Sequence, residues 1–495
     1  MEKHVDVLII GAGLSGIAAA YYLQERCPQK TYLILEAREA MGGTWDLFRY
    51  PGVRSDSDMH TLGYSFRPWM GDKAITDGES IRQYINDTAQ EYGIDGKIRY
   101  QYRVTHADWS SEEAKWTLQV EVGEDKTQET FSCNFLYMAT GYYDYDAGYT
   151  PDWDDIERYQ GQLIHPQKWS DDIDYKNKNV VVIGSGATAV TLVPAMATDA
   201  AHVTMLQRTP TYIISRPAKD AIANWLHRYL PSGIAHQLAR WKSILLQMYF
   251  YLLARWFPEA TKKGILELIQ EELGEDYEVE KDFLPPYNPW DQRLCLVPDS
   301  DLFKVMNAGK ASIVTDTIEG FTETGLRLSS GDCLDADIIV TATGLVIKLA
   351  GGIEMTVDGK QYDSSSLVSY KGVTYSHLPN FAQAFGYTNA SWTLKCELIA
   401  EYVCRLINYM DKKGYVQCTP IPSDSLVPDE SAVNLTAGYI ERAQDIIPKQ
   451  GHQTPWKNYQ NYLLDINLMR FSKINDDGMH FRKANDPVPP AKGEF

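Results

Sequence analysis

Val7-Leu8-Ile9-Ile10-Gly11-Ala12-Gly13-Leu14-Ser15-Gly16 decides the fold. An apolar, β-branched run reads as a buried parallel strand. Glycines then turn it into a helix that starts on small residues, letting backbone N–H groups approach a pyrophosphate. The next strand ends at Glu36, an acid suited to a ribose 2′-hydroxyl. A second unit repeats the device: Val180-Val181-Val182-Ile183-Gly184-Ser185-Gly186-Ala187-Thr188-Ala189, leading to Gln207-Arg208. An arginine there suits a 2′-phosphate. One such fingerprint is a weak signal, but two, each behind a strand and each with a fitting ribose-side residue, support one another. The pair implies an α/β fold with two Rossmann-like dinucleotide-binding domains. FAD or NAD is expected in the first and NADPH in the second.

The 495 residues leave room for roughly two to four domains. The chain is 44% hydrophobic, normal for a globular core, and carries a net charge of −19. That charge argues against a nucleic-acid partner and against adhesion to anionic lipid. Seven scattered cysteines without a Cys-x-x-Cys fit a reducing cytoplasm and no metal site. No secretion signal is read at the N-terminus. The most apolar long run, Ile244 to Ala254, is broken by Gln247 and falls short of the ~20 residues a membrane span needs. A buried or pocket-lining helix is expected there, with peripheral membrane contact as the alternative.

Gly42-Gly43-Thr44-Trp45-Asp46 and Arg49-Tyr50-Pro51-Gly52-Val53-Arg54-Ser55-Asp56 read as loop. Trp116 to Val122 alternates as an antiparallel strand does, and Phe135 to Gly141 is a buried strand ending in Ala-Thr-Gly. A turn-rich stretch from Tyr142 to Asp155 reads as a linker. The pattern turns helical from about Pro217 to Tyr287, and a second strand ending in Ala-Thr-Gly runs to Gly344. The expected division is a discontinuous FAD domain (1–145 and 345–495), an NADPH domain (155–216 and 291–344) and a helical insertion (217–290). A helix is expected from about Trp392 to Met410, preceded by Asn389 and Ala390.

Between the fingerprints lies Tyr159-Gln160-Gly161-Gln162-Leu163-Ile164-His165-Pro166-Gln167-Lys168-Trp169-Ser170. It resembles the signature of the class B flavoprotein monooxygenases, Phe-x-Gly-x-x-x-His-x-x-x-Trp, followed by Pro or Asp in the Baeyer–Villiger branch. Trp169 favours that branch; Tyr159 and Ser170 depart from the pattern. The resemblance runs nearly end to end. In Gly42 to Gly52, Pro289 to Pro298 and Gly386 to Lys395 the chain is most similar to the ethionamide-activating subgroup and its bacterial relatives.

The resemblance implies a cycle in which NADPH reduces FAD and the reduced flavin takes up O₂ as a C4a-peroxyflavin. One oxygen atom is then inserted beside a ketone carbonyl, giving an ester or lactone, with sulfoxidation of thioethers as a further activity. The flavin carries the hard chemistry, while the protein excludes water and stabilises negative charge. A planar, permanent cation suits the second task, and the matching position is Arg293, held near the flavin by Asp56; Asp58 is a neighbour able to substitute. For FAD the resemblance points to Gly11, Gly13, Gly16, Glu36, Gly43, Thr44, Trp45 and Asp46. The helix start at Asn389 and Ala390 either aims its positive end at the flavin or is an ordinary cap. For NADPH it points to Gly184, Ser185, Gly186, Thr188, Arg208 and Thr209. Gln292 stands where many relatives have a lysine, which shifts 2′-phosphate selectivity onto Arg208. Gly161, His165 and Trp169 take a structural and hinge role, with Gly161 supplying backbone freedom.

Three rival readings share some of these features. A sister branch oxidises mainly S or N atoms. A pyridine-nucleotide disulfide reductase has the same two-domain plan but needs a redox cysteine pair, and no cysteine lies between Cys27 and Cys133. A non-enzymatic flavin sensor leaves Arg293, Asp56 and the second fingerprint without a purpose. Small to medium hydrophobic ketones are expected as substrates; the aromatic stripe of Trp225, Tyr249, Phe250, Tyr251 and Trp256 either packs as core, the commoner case, or shapes part of the pocket.

Overall fold

The computed structural model describes residues 3–488 apart from 424, 425, 427, 429 and 434. The outermost residues of the expected first domain, 1–2 and 489–495, lie outside the described residues. Two parallel cores carry the architecture. In the larger sheet the first strand, Lys3–Ile10, runs parallel to Tyr32–Glu36 on one side and to Thr127–Met138 on the other. Lys115–Val122 joins antiparallel between Thr127–Met138 and Tyr102–Ser110, as its alternating pattern requires. Glu354–Val357 and Phe381–Gln383 return to the same sheet far later in the chain. In the smaller sheet five strands among the described residues run parallel. Asn179–Ile183 lies between His202–Gln207 and Ile338–Thr341.

Each fingerprint strand feeds a helix: α1 (Leu14–Arg26) and α2 (Ala187–Met196). The helical stretch comprises α3 (Ala221–Tyr229), α4 (Ser232–Trp256) and α5 (Pro258–Leu273). It packs on both cores, since Ile244 joins the first and Ile265 and Ile269 the second. Helix α6 (Trp392–Lys413) lies along α1. Trp392 donates to Ser15 Oγ and Ser15 to Cys396 Sγ, tying the two helix starts together.

The stretch after Ala139-Thr140-Gly141 is more ordered than a linker. Tyr143–Gly148 pairs antiparallel with Leu345–Ile347, so the two chain crossings between the cores brace each other. Lys348 Nζ reinforces them at 3.0 Å from both Asp144 and Asp146. The imidazole of His165 lies flat against Gly148, where a β-carbon would stand 1.8 Å from its Cε1. Gly161 corrects one expectation: it does not hold a left-handed conformation. Glycine is needed there for space, because a β-carbon would meet the Tyr159 hydroxyl at 2.2 Å and the Asp337 carbonyl at 2.8 Å. Trp169 packs on the second core, edge-on to Tyr175.

Candidate active site

The two turns are built alike. Gly11 N–H donates to Leu35 O and Gly184 N–H to Leu206 O, both at 2.8 Å. Both glycines have a positive φ, 105° and 132°, and both press on an Ala-Thr-Gly strand end. A β-carbon on Gly11 would stand 2.5 Å from Ala139 O, and on Gly184 2.3 Å from Ala342 O. Neither position tolerates a side chain. The third glycine separates them: a β-carbon at Gly16 would fall 2.0 Å from Gly11 O, whereas Ala189 is accommodated in the second turn, so only the first needs the full motif. Gly43 lies against Gly13, with 3.2 Å from its would-be β-carbon to Gly13 Cα, leaving bare backbone on both sides of that point.

Between the turns runs one cleft of about 1120 Å³, lined by both fingerprints. It exceeds the ~300–1,000 Å³ usual for a single small ligand. Glu36 lines its first end, buried, accepting from Ala12 N–H at 2.8 Å and Arg38 N–H at 2.9 Å. Burial raises its carboxyl pKa, and the two amide bonds oppose that. Arg208 lines the other end, exposed, and has no hydrogen-bond or ion-pair partner among the described residues. Ser185 donates to Thr209 O at 3.0 Å, closing the turn beside it. Bare glycine turns, an acid at one end and an unpaired guanidinium at the other fit two dinucleotides, the second bearing a 2′-phosphate.

Midway along the cleft, Arg293 and Asp56 meet. The segment Arg49 to Asp56 leaves the first core and lies on α2; a β-carbon at Gly52 would stand 2.7 Å from Ala195 Cβ. Phe48 and Tyr50 are buried in the second core, and Arg54 is ion-paired with Asp301. Arg293 enters just before the strand Cys295–Pro298, which pairs with Ile213–Arg216. The guanidinium donates from Nη2 to Asp56 Oδ1 and holds its Nε in ion-pair contact with Oδ2, and its side chain remains 38% exposed to the cleft. Asp56 holds the guanidinium pKa above its ordinary value, against the opposing effect of burial.

Three phenols missed in the sequence complete this point: Tyr142, Tyr143 and Tyr439 line the cleft around Arg293. The Tyr142 and Tyr143 hydroxyls are 2.7 Å apart. Burial raises all three phenol pKa values, so they are neutral hydrogen-bonding groups. Tyr142 and Tyr143 could have been found from their place directly behind the Ala-Thr-Gly strand end. Tyr439 and Arg442, whose guanidinium lies 3.5 Å above the Tyr149 ring, had no local signal.

Gly11, Gly13, Glu36, Gly43, Thr44 and Trp45 line the cleft, as do Gly184, Ser185, Gly186, Thr188, Arg208 and Thr209. Gly16 lies just behind it. Asp46 does not face it: the carboxylate is buried between Arg38 at 2.8 Å and Arg49 at 2.6 Å. Asn389 turns away to donate to Gln460 O at 3.0 Å, and Ala390 and Trp392 take the lining position. Gly161, His165 and Trp169 stand outside the lining. So do Trp225, Tyr249, Phe250, Tyr251 and Trp256, because the helices that carry them turn their aromatic side chains outward or onto other loops.

Fold and cleft together define a two-dinucleotide α/β oxidoreductase. A family profile described as pyridine nucleotide-disulphide oxidoreductase matches residues 5–239. The chain is 53% identical over 489 residues to "FAD-containing monooxygenase EthA" of Mycobacterium tuberculosis strain H37Rv, covering 99% of this chain and 100% of that protein. It is 48% identical to "Probable FAD-binding monooxygenase AlmA" of Acinetobacter baylyi, covering 99% and 98%. A solved steroid monooxygenase with bound NADP superposes with a TM-score of 0.76 at 21% identity, covering 97% of this chain and all of that one. The chain belongs to the FAD-containing monooxygenases, the family of EthA and AlmA, and is a flavin monooxygenase.

Proposed function

We propose that this flavin monooxygenase is a Baeyer–Villiger enzyme that uses FAD, NADPH and O₂ to convert a small hydrophobic ketone into an ester or lactone. The observation that carries the reading is the Arg293–Asp56 pair, fixed in the cleft between the two dinucleotide turns. When bound, FAD reduced by NADPH supplies the activation of O₂ and the transfer of one oxygen atom. Gly11, Gly13, Glu36, Gly43, Thr44 and Trp45 hold the flavin nucleotide; Gly16 keeps the turn tight, and Asp46 positions the loop through Arg38 and Arg49. Gly184, Ser185, Gly186, Thr188, Arg208 and Thr209 hold NADPH. Arg293 stabilises negative charge developing on the reacting oxygen atoms. Asp56 is its positioning residue. His165 and Trp169 set the crossing between the two units, which we take as 1–145 with 345–495 and 155–216 with 291–344, joined by 217–290.

A thioether is the second substrate class, favoured by Ser170 standing where the Baeyer–Villiger signature has Pro or Asp. The test is product analysis with an aliphatic ketone and an aryl alkyl thioether, each under NADPH and O₂. Ester from the ketone is the expected outcome. Sulfoxide without any ester would assign the enzyme to the S- and N-oxygenating branch.

A further inference from the structure

Helix α4 carries its large apolar side chains outward. Its inward face buries Ile244 and three alanines beside polar groups: Arg240 is ion-paired with Glu397 and donates to His60 O and Gly63 O, His236 meets Tyr64 O, and Gln247 donates to Asp58. Its outward face is an apolar stripe, Ile234, Leu238, Trp241, Leu245 and Tyr249 at three- and four-residue spacing and Trp256 two turns further on. Leu245 is 52% exposed and Trp256 69%. The helix has 25 residues, so the stripe is about 35 Å long at ~1.5 Å per residue. Helix α3, packed on α4, adds Ile222, Trp225 and Tyr229 to the exposed surface. Met70, exposed, touches Ser232 at the start of α4. Scattered exposed apolar side chains need no explanation, but a continuous face does.

We infer that this face docks on the surface of an anionic phospholipid bilayer, lying in the headgroup plane rather than crossing it. Three observations choose that occupant. No helix among the described residues is long and apolar enough to cross a membrane. Tryptophan and tyrosine, with apolar rings and polar tips, make up half of the stripe and suit the headgroup boundary. And charge is segregated: α3 and α4, from Ala221 to Trp256, hold no Asp or Glu, and of their four cations Arg228 and Arg255 are exposed while Arg240 and Lys242 are ion-paired with Glu397 and Asp220; the whole chain holds 47 Lys and Arg against 66 Asp and Glu. Exposed cations stand at both ends, Lys219 and Arg228 at one and Arg255 and Lys263 at the other. Asp72, Asp291 and Glu267 pair with three of them, so the apolar stripe carries most of the binding and Arg228 the clearest charge preference. A second copy on the same face would set cation against cation in either orientation; lipid phosphates neutralise them. The stripe also ends near the site: Arg255 is ion-paired at 2.6 Å with Asp291, two residues before Arg293 in the chain.

The test is flotation of the full-length flavin-loaded enzyme with phosphatidylcholine vesicles, with and without phosphatidylglycerol. Binding at least ~tenfold stronger to the anionic vesicles is expected. Leu245→Glu/Tyr249→Glu should reduce it by ~tenfold or more while the rate of NADPH oxidation in buffer stays unchanged. Arg228→Glu/Lys263→Glu should abolish the preference for anionic lipid. Wild-type tryptophan fluorescence should be quenched by brominated lipid, a readout that needs no variant. Absence of flotation and of quenching would overturn the inference. So would a concentration-dependent dimer, dispersed by Leu245→Glu/Tyr249→Glu, in a protein that ignores vesicles.

Discussion

Arg293 and Asp56, 237 residues apart in the chain, meet through one hydrogen bond, Nη2 to Oδ1 at 2.9 Å, and an ion-pair contact of Nε with Oδ2, also at 2.9 Å. A charge-assisted hydrogen bond together with a second close N–O contact holds the guanidinium against both carboxylate oxygens. That placement is set by the protein before any substrate enters, which is what electrostatic stabilisation of a developing charge requires.

Arg293→Lys keeps the charge but not the fork, so it separates charge from geometry. We expect product formation to fall by ~10²–10³-fold while NADPH oxidation persists, its electrons lost as hydrogen peroxide. Asp56→Ala should give a milder version of the same uncoupling. The ratio of ester to NADPH consumed reads this directly; an unchanged ratio in Arg293→Lys would remove the residue from the chemistry.

Arg208 is exposed at the second turn with no partner among the described residues, so its loss leaves no buried group unpaired. A charge-assisted hydrogen bond is worth ~1.5–3 kcal/mol. Arg208→Ala should therefore raise the KM for NADPH by roughly 10–100-fold, with that for NADH little changed. Equal losses for the two nucleotides would place the 2′-phosphate elsewhere.

What the sequence made legible is local. The two turns could be read because a carbonyl, Ala139 O or Ala342 O, sits where any β-carbon would be, so the glycine spacing is forced. The strand Lys115–Val122 could be read because one of its faces is buried. The partners of distant residues could not. Asp46 looked like a cofactor contact because its motif adjoins the site, but Arg38 and Arg49 claim both carboxylate oxygens. The aromatic run around Tyr249 looked like core or pocket because periodicity locates an apolar face without saying which way it points. That is decided by Glu397, Tyr64 and Asp58, far away in the chain, which give the polar face of α4 its inward partners.

The glycines of the turns make a graded prediction. At Gly16 a β-carbon would lie 2.0 Å from backbone oxygen, and at Gly186 nothing lies within 4 Å. Gly16→Ala should lower Tm and flavin content together, since the first turn must open to admit the methyl. Gly186→Ala should leave Tm within about 2 °C of wild type, as expected of a change of ~0.5 kcal/mol or less, yet raise the KM for NADPH by crowding the pyrophosphate path. An unaltered KM in Gly186→Ala would mean that the nucleotide does not pass over this turn.

His236 gives the fold a dependence on pH. It is 1% exposed, and its Nε2–H donates to Tyr64 O at 3.1 Å, which fixes the tautomer of the ring and opposes the lowering of its pKa. Burial, aided by the neighbouring Arg240 charge, lowers its pKa from 6.5 to about 4. The unfolded chain then binds a proton that the native state refuses, so the stabilisation is complete above pH 6.5 and is lost as pH falls toward 4. By pH 5 the loss reaches about 2 kcal/mol. His60, lowered mainly by burial, acts in the same direction. His236→Gln keeps a donor for Tyr64 O and removes the titration. Its Tm should fall less than that of wild type between pH 7.5 and 5, and parallel curves for the two proteins would show that this imidazole does not control acid stability.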